Sequence, residues 1–271
     1  MLMDKSPPRD TNPNLPIPIP SDARARWALF LDVDGTLVEI APEPDAVVVT
    51  PRLIAVLGRL HVAFGGAVAL VSGRTVARLD ALFAPLRLPA AGNHGLERRG
   101  ADGLVHRPPV RAAEIARLRA AFADFAAARP GTIVEDKGLS IALHFRLAPS
   151  CGDEAVALAN RLAGEIGGGF RVQHGKMMVE VRPDGGTKGS VVDGFMTEPP
   201  FAGRVPVFVG DDVTDEDGFA AANRRNGLSM RVGGDEPTGA RYRVASVAAL
   251  LDWLEALAGG AENAGMRRSF C

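Results

Sequence analysis

Three short apolar runs in this chain each end on a residue able to do chemistry, and that recurrence restricts the fold more than any other feature. Ala28-Leu29-Phe30-Leu31 runs into Asp32, Gly66 to Val71 runs into Ser72, and Val207-Phe208-Val209-Gly210 runs into Asp211. Runs this short and this uniformly apolar suit strands buried on both faces, the environment of a parallel sheet covered by helices. Between the first two, Thr50-Pro51 has the form of an N-cap followed by proline at the first helical position, and Leu53, Ile54, Leu57 and Leu60 repeat at helical spacing. Val76, Leu79, Leu82 and Phe83 mark another helix, and Leu88 to Ala91 a third strand. This alternation predicts an open, mostly parallel α/β sheet.

The middle of the chain has a different texture. Ile115, Leu118, Phe122 and Phe125 mark a helix. Thr132 to Phe145 then alternates as a strand, with Leu139, Ile141, Leu143 and Phe145 on one face and Ser140, His144 and Arg146 on the other. An alanine-rich helix from about Asp153 to Ile166, a triple-glycine turn and the strands Phe170 to His174 and Met177 to Arg182 complete an α+β unit. The expected organisation is therefore a sheet domain made of residues 27–97 and 184–271, interrupted by an inserted α+β cap at 98–183. Hinges are expected near Arg98 to Gly100 and Pro183 to Gly186. Residues 1–26, rich in proline, are expected to form a loose tail.

Composition narrows the function classes. A net charge of -1 provides no field to draw in nucleic acid or an anionic membrane, so an anionic ligand must be held by a few placed cations. No apolar run reaches the ~20 residues that span a bilayer, and the N-terminus carries charge and proline where a signal peptide is apolar. The two cysteines, Cys151 and Cys271, lack metal-ligand spacing. A cytoplasmic protein without nucleic-acid or membrane partners is expected; the sequence is silent on oligomeric state.

Asp32 and Asp34 stand two apart where a buried strand ends, and a second acidic cluster, Asp211-Asp212-Val213-Thr214-Asp215-Glu216, follows another. Ligands of open α/β sheets bind at such strand ends. Two acid clusters meeting there would repel each other unless a hard cation with oxygen ligands lay between them, which predicts Mg2+. Each residue also has a plainer reading: strand-end turns for the acids, a helix N-cap ahead of Val76 for Ser72, and a solvated charge for Lys188. In the inserted unit, Glu135 and Lys137 face one way, and Lys176, Met178, Glu180 and Arg182 share a face. That mixture of donors and acceptors suits a polyhydroxylated ligand, although any half-solvated sheet presents a polar face.

Taken in order, Asp32-Val33-Asp34-Gly35-Thr36, Ser72-Gly73-Arg74, Thr187-Lys188-Gly189 and Gly210 to Glu216 resemble the four motifs of the haloacid-dehalogenase superfamily of phosphohydrolases. The resemblance implies a Rossmann-like core with Asp32 as the nucleophile that forms an aspartyl-phosphate and Asp34 as general acid, then base. It implies that Ser72, Gly73, the backbone around Val33 and Lys188 hold the phosphoryl oxygens. Asp32, the backbone carbonyl of Asp34 and Asp211 would ligate Mg2+, with Asp212 and Asp215 supporting its waters or Lys188.

Three further strings resemble trehalose-6-phosphate phosphatases: Gly92-Asn93-His94-Gly95-Leu96-Glu97, Glu135-Asp136-Lys137 running on to His144-Phe145-Arg146, and Gly175 to Glu180 leading into Arg182-Pro183. In that family the cap binds the sugar, which implies roles for Glu135, Lys137, Arg146, Lys176 and Glu180, with Asn93 and His94 at the substrate or at a hinge. The expected activity is Mg2+-dependent hydrolysis of trehalose 6-phosphate, a small-molecule substrate. The alternatives are a phosphatase for sucrose 6-phosphate or a hexose phosphate, a phosphosugar mutase, a receiver-like signalling module and a non-catalytic sugar-phosphate sensor. The receiver is opposed by motif order, because here the lysine precedes the last acidic cluster.

Overall fold

The computed structural model describes residue 17 and residues 19–41, 46–109 and 111–259. Eight strands form one sheet in the order β12-β11-β10-β1-β2-β3-β4-β5. Strands β1 (Trp27–Leu31), β2 (Val68–Val71), β3 (Ala90–Gly92), β10 (Val205–Gly210), β11 (Leu228–Val232) and β12 (Tyr242–Val244) run parallel. β4 (Glu97–Arg99) and β5 (Val105–His106) are added antiparallel at one edge. The apolar runs at β1 and β2 are buried at every position, as strands covered on both faces require.

Helices α2 (Pro51–Ala63), α3 (Val76–Leu82) and α8 (Val247–Gly259) bury their apolar stripes against one face of this sheet. The opposite face is covered by α6 (Lys188–Phe195) and α7 (Glu216–Arg224), where Phe30, Phe195, Phe201, Phe208 and Phe219 pack together. Helix α2 starts as its sequence predicts, with the Thr50 hydroxyl accepting from the Leu53 N–H at 3.2 Å. Ser72 does not cap α3; Thr75 does, three residues nearer the helix.

The order of strands matters for function. The chain runs outward from β1 through β2 to β3 and returns to the other side of β1 as β10, so the topology switches between β1 and β10. A crevice opens at the carboxyl ends of the strands at such a switch point. Asp32 and Asp211 each stand one residue beyond those two ends.

A second sheet, β6-β7-β9-β8, is wholly antiparallel and carries α4 (Ala112–Ala127) and α5 (Gly152–Ile166) on one face. The stretch predicted as one alternating strand is two: β6 (Ile133–Asp136) and β7 (Ile141–His144). Gly138 breaks it, with φ of +77° and its N–H donating to Asp136 Oδ1 at 2.8 Å, so the chain reverses there. Ile141, Leu143 and Phe145 still face the helices, because the hairpin preserves their alternation. β8 (Phe170–Gly175) and β9 (Met178–Pro183) finish the sheet.

The boundaries differ from those expected. The large sheet continues to His106, so the chain leaves it at about residue 107 rather than at Arg98, and Arg98 to Gly100 close a hairpin instead of forming a crossing. It returns through Asp184 to Gly186, where Gly185 and Gly186 have φ of +101° and +47°. At the start, Ile17 is buried in the main core and Ala23–Arg26 forms a helical turn (α1), so the loose segment does not extend to residue 26. Residues 1–16 and 18 of the predicted tail and Cys271 lie outside the described residues, while Cys151 is a half-buried free thiol. No helix among the described residues is long and apolar enough to cross a membrane.

Candidate active site

At the switch point the strand ends deliver carboxylates into a buried space. Asp32, Asp211 and Asp215 each offer an oxygen within 4.8 Å of the others. Lys188, at the first position of α6 and 3% exposed, donates to Asp32 Oδ1 at 2.7 Å and to Asp215 Oδ1 at 2.6 Å. The other Asp32 oxygen accepts from the Thr36 hydroxyl at 3.0 Å. Gly35 is required by space as well as by its φ of +86°: a Cβ there would stand 2.3 Å from Asp211 Oδ2.

Burial pushes the Asp32 carboxyl well above the usual range, and Asp215 and Asp211 add to the effect while Lys188 opposes it. The same burial works against the charge of Lys188, but Asp215 and Asp32 outweigh it and hold the ammonium above its ordinary range. Asp215 is fully committed. Its Oδ2 accepts from the N–H groups of Asp211 and Asp212 at 3.1 and 2.9 Å, and its Oδ1 from Lys188. Asp212 caps the turn that carries Asp215. Of the two residues expected to support the metal or the lysine, Asp215 is the one whose side chain bonds both the loop and Lys188.

Asp32 and Asp211 remain as donors, and all their ligand atoms are hard oxygens in a cluster whose negative charge burial leaves poorly relieved. That composition fits a hard divalent cation.

Asp34 is held by a residue that the sequence reading passed over. Arg74 makes a two-pronged contact with it, Nε to Oδ2 at 2.8 Å and Nη2 to Oδ1 at 2.7 Å. Its position two residues after Ser72 was the available signal. The Ser72 hydroxyl accepts from the Arg74 N–H at 3.1 Å, which shapes the turn presenting both side chains. Asp32, Asp34, Ser72, Gly73, Arg74, Lys188, Asp211 and Asp212 all line one cavity of about 180 Å³. The Val33 side chain is buried in the core, so only its backbone is available to a ligand.

The opposite wall comes from the polar face of the small sheet. Glu135, Lys137, His144, Arg146 and Lys176 all line the same cavity, from sequence positions more than 100 residues after Asp32. Lys176 Nζ reaches Asp211 Oδ2 at 2.6 Å, and Arg146 donates to the carbonyl of Ala41 at 3.2 Å, so the two sheets meet across the site. Glu135 Oε2 accepts from the His144 ring Nε2 at 2.9 Å, a pair on the cavity wall.

Glu180 departs from the expected role. It is fully buried behind the wall, where its Oε2 accepts from Lys137 Nζ at 2.7 Å and lies 3.6 Å from His94 Nε2. Burial opposes its charge, yet Lys137 and His94 carry it well below the usual carboxylate range. Asn93 is likewise fully buried, donating to Glu97 Oε1 at 3.2 Å and to the Lys137 carbonyl at 3.4 Å. Glu97 also accepts from the Val76 N–H at 2.9 Å. Asn93 therefore ties the large sheet to the small one, and only His94 of the pair reaches the cavity. A Cβ on Gly73 would fall 2.5 Å from His94 Nε2, so the ring occupies the space that glycine leaves.

His94 yields a prediction about pH. Burial pushes its imidazole down to about 4, against the pull of Glu180. With the folded value below the unfolded value of about 6.5, the unfolded chain takes up the proton first, so stability falls as pH drops from about 6.5 towards 4. The loss is on the order of 3 kcal/mol. His94→Asn, which tolerates the φ of +52° at this position, should show a smaller drop in melting temperature between pH 7 and pH 5 than wild type. Equal drops in the two proteins would refute the assignment.

A parallel α/β sheet with acids at its switch point, a lysine bridging them and an inserted sheet closing the site defines the haloacid-dehalogenase class of phosphohydrolases. Within that class the sequence is specific. A sequence model of the family described as trehalose-phosphatase matches residues 30–248, and the chain belongs to that family. It is 45% identical over 235 residues to the trehalose-6-phosphate phosphatase of Escherichia coli, covering 85% of this chain and 86% of that one. A Sinorhizobium fredii protein named "Probable trehalose-phosphate phosphatase" is 47% identical over 211 residues, covering 78% of this chain and 79% of that one. The C-terminal domain of Candida albicans trehalose-6-phosphate phosphatase has the same fold, with a TM-score of 0.74 at 23% identity over 86% of this chain and 93% of that one.

Proposed function

We propose that the chain hydrolyses trehalose 6-phosphate to trehalose and inorganic phosphate, with Asp32 as nucleophile. The observation that carries this reading is the facing of two walls. Asp32 and Lys188 stand on one side of a single cavity, and Glu135, Lys137, Arg146 and Lys176 of the small sheet stand on the other. The first wall suits a phosphate and the second a polyhydroxylated leaving group.

In the first step a carboxylate oxygen of Asp32 attacks phosphorus, forming an aspartyl-phosphate as the bond to the sugar oxygen breaks. Asp34, protonated once the arriving substrate draws Arg74 away, gives the departing oxygen that proton, then takes one from the water that frees phosphate. Arg74 holds the Asp34 carboxylate in the cavity until the sugar arrives. Lys188, Ser72, Gly73 and the backbone at Val33 bind the outer phosphoryl oxygens, on which negative charge accumulates. Mg2+, held by Asp32, Asp211 and the backbone carbonyl of Asp34, would neutralise the ester dianion that those acids otherwise repel. Lys137 binds sugar hydroxyls from a position that Glu180 sets, and Lys176 and Arg146 close the small sheet over the site. In this reading the small sheet is the sugar-recognising cap, and its movement about the Gly185-Gly186 return admits the substrate.

The test is release of inorganic phosphate by the purified chain from trehalose 6-phosphate, sucrose 6-phosphate and glucose 6-phosphate, with Mg2+ and with excess chelator. Trehalose 6-phosphate should be turned over fastest by at least about tenfold, and chelator should remove the activity. Equal rates on all three sugars would defeat the substrate assignment, and full activity in chelator the metal.

A further inference from the structure

A second cavity, of about 310 Å³, opens beside the catalytic one, and Lys188, His94, Gln173 and Thr214 line both. Arg171, Arg182, Thr187 and Asp217 form much of its remaining wall. The two arginines are direct partners across β8 and β9, where like charges are destabilising. Both stand on the face turned away from the apolar core of the small sheet, since Phe170, Val172 and Val181 alternate with them and pack into it.

The hydrogen bonds of this pair leave charge unanswered. Arg182 is fully buried; its Nη1 donates to Gln173 Oε1 at 2.7 Å and its Nη2 to the carbonyls of Gly185 and Gly186 at 3.1 and 2.9 Å. Arg171 Nη2 donates to the Gly186 carbonyl at 3.4 Å. The Nε atoms of both are buried without a hydrogen-bond partner. An amide and two carbonyls carry only partial charges, and Asp217 is the single carboxylate on this cavity's wall among the described residues. Burial pushes the Arg182 guanidinium down to about 10, and Arg171 contributes in the same direction although Glu180 and, more weakly, Asp184 oppose it. A buried Arg182 and a half-buried Arg171, each with an N–H left without a partner, are charged donors that an oxyanion satisfies.

We propose that this cavity is a second oxyanion site, where Arg171 and Arg182 take up the inorganic phosphate released at Asp32, giving it a way out while the small sheet still covers the sugar side. The role as product site rests on the phosphatase reading above.

Calorimetric titration of inorganic phosphate into the full chain tests it, in chelator so that the acid cluster disfavours phosphate beside Asp32. Wild type should bind phosphate, with sulfate competing. Arg171→Gln should weaken binding by about tenfold or more, and Arg171→Lys by less. Absence of binding to wild type, or binding to folded Arg171→Gln as tight as to wild type, overturns the site. Should Arg171→Gln fail to fold, as judged by its melting curve, Arg171→Lys binding undiminished relative to wild type has the same force. The titration needs no turnover, so its failure is distinct from a failure of wild type to release phosphate from trehalose 6-phosphate, which would sink the phosphatase reading instead.

Discussion

Replacing Asp32 with Asn is expected to lower phosphate release by at least about a thousandfold and to leave a protein that melts at or above the wild-type temperature in the absence of metal. The first half follows from the proposed covalent step, because an amide cannot supply the attacking carboxylate oxygen. The second follows from electrostatics. Asp32 is 4% exposed, and burial with Asp215 and Asp211 raises its carboxyl well above the usual range. A folded value above the unfolded one means that the ionised form is the costly form in the fold, so at pH 7 its charge lowers stability. Asn removes that charge, and Lys188 keeps Asp215 as a partner. Activity lost together with a collapsed melting temperature would mean that Asp32 acts as a structural ion-pair partner, and activity retained would remove it as nucleophile.

Lys188→Met should fail in the opposite way, losing stability as well as activity. The lysine bridges Asp32 and Asp215 from a buried position, and Asp211 lies within the same cluster. Deleting one partner of a buried ionic network leaves uncompensated charge and costs about 3–5 kcal/mol. In a chain of this size that corresponds to a fall in melting temperature of about 6–20 °C. The lysine's folded value is raised, so its contribution is complete at pH 7 and is lost only as pH rises through that raised value. Adding Asp215→Asn should recover part of the stability, though none of the activity, because the unpaired acid leaves with its partner. A single variant melting within about 2 °C of wild type would show that the network does not need its cation.

The two substitutions touch the same hydrogen bond, yet their predicted effects on stability have opposite signs. The difference arises because the cluster holds more acids than the lysine can neutralise. A cation is scarce there and a carboxylate is in excess, which is also why the donor set suits a divalent metal.

Much of this was legible from one dimension. The strand ends at Asp32, Ser72 and Asp211, the capped start of α2 at Thr50 and the two helices of the small sheet all follow from local pattern, since burial on both faces forces uniform apolarity and helical spacing is intrinsic to the backbone. Less legible was the hairpin at Gly138. Alternation survives a tight reversal, so the residues from Thr132 to Phe145 read as one strand until the turn is seen. The crossing near residue 107 was misplaced for a related reason, because β4 and β5 are short edge strands with little apolar content to mark them.

What the sequence determined by itself was the class of chemistry: which residue types stand at the ends of buried strands, and that their order matches a phosphohydrolase with an inserted sheet. Only the tertiary structure decided how they share charge. Arg74 clasps Asp34, Lys176 crosses from the small sheet to Asp211, and Glu180 withdraws behind the wall to set Lys137. Each of those outcomes depends on distances between segments remote in the chain, and on which carboxylates lose their water. Spacing along a backbone carries no record of either.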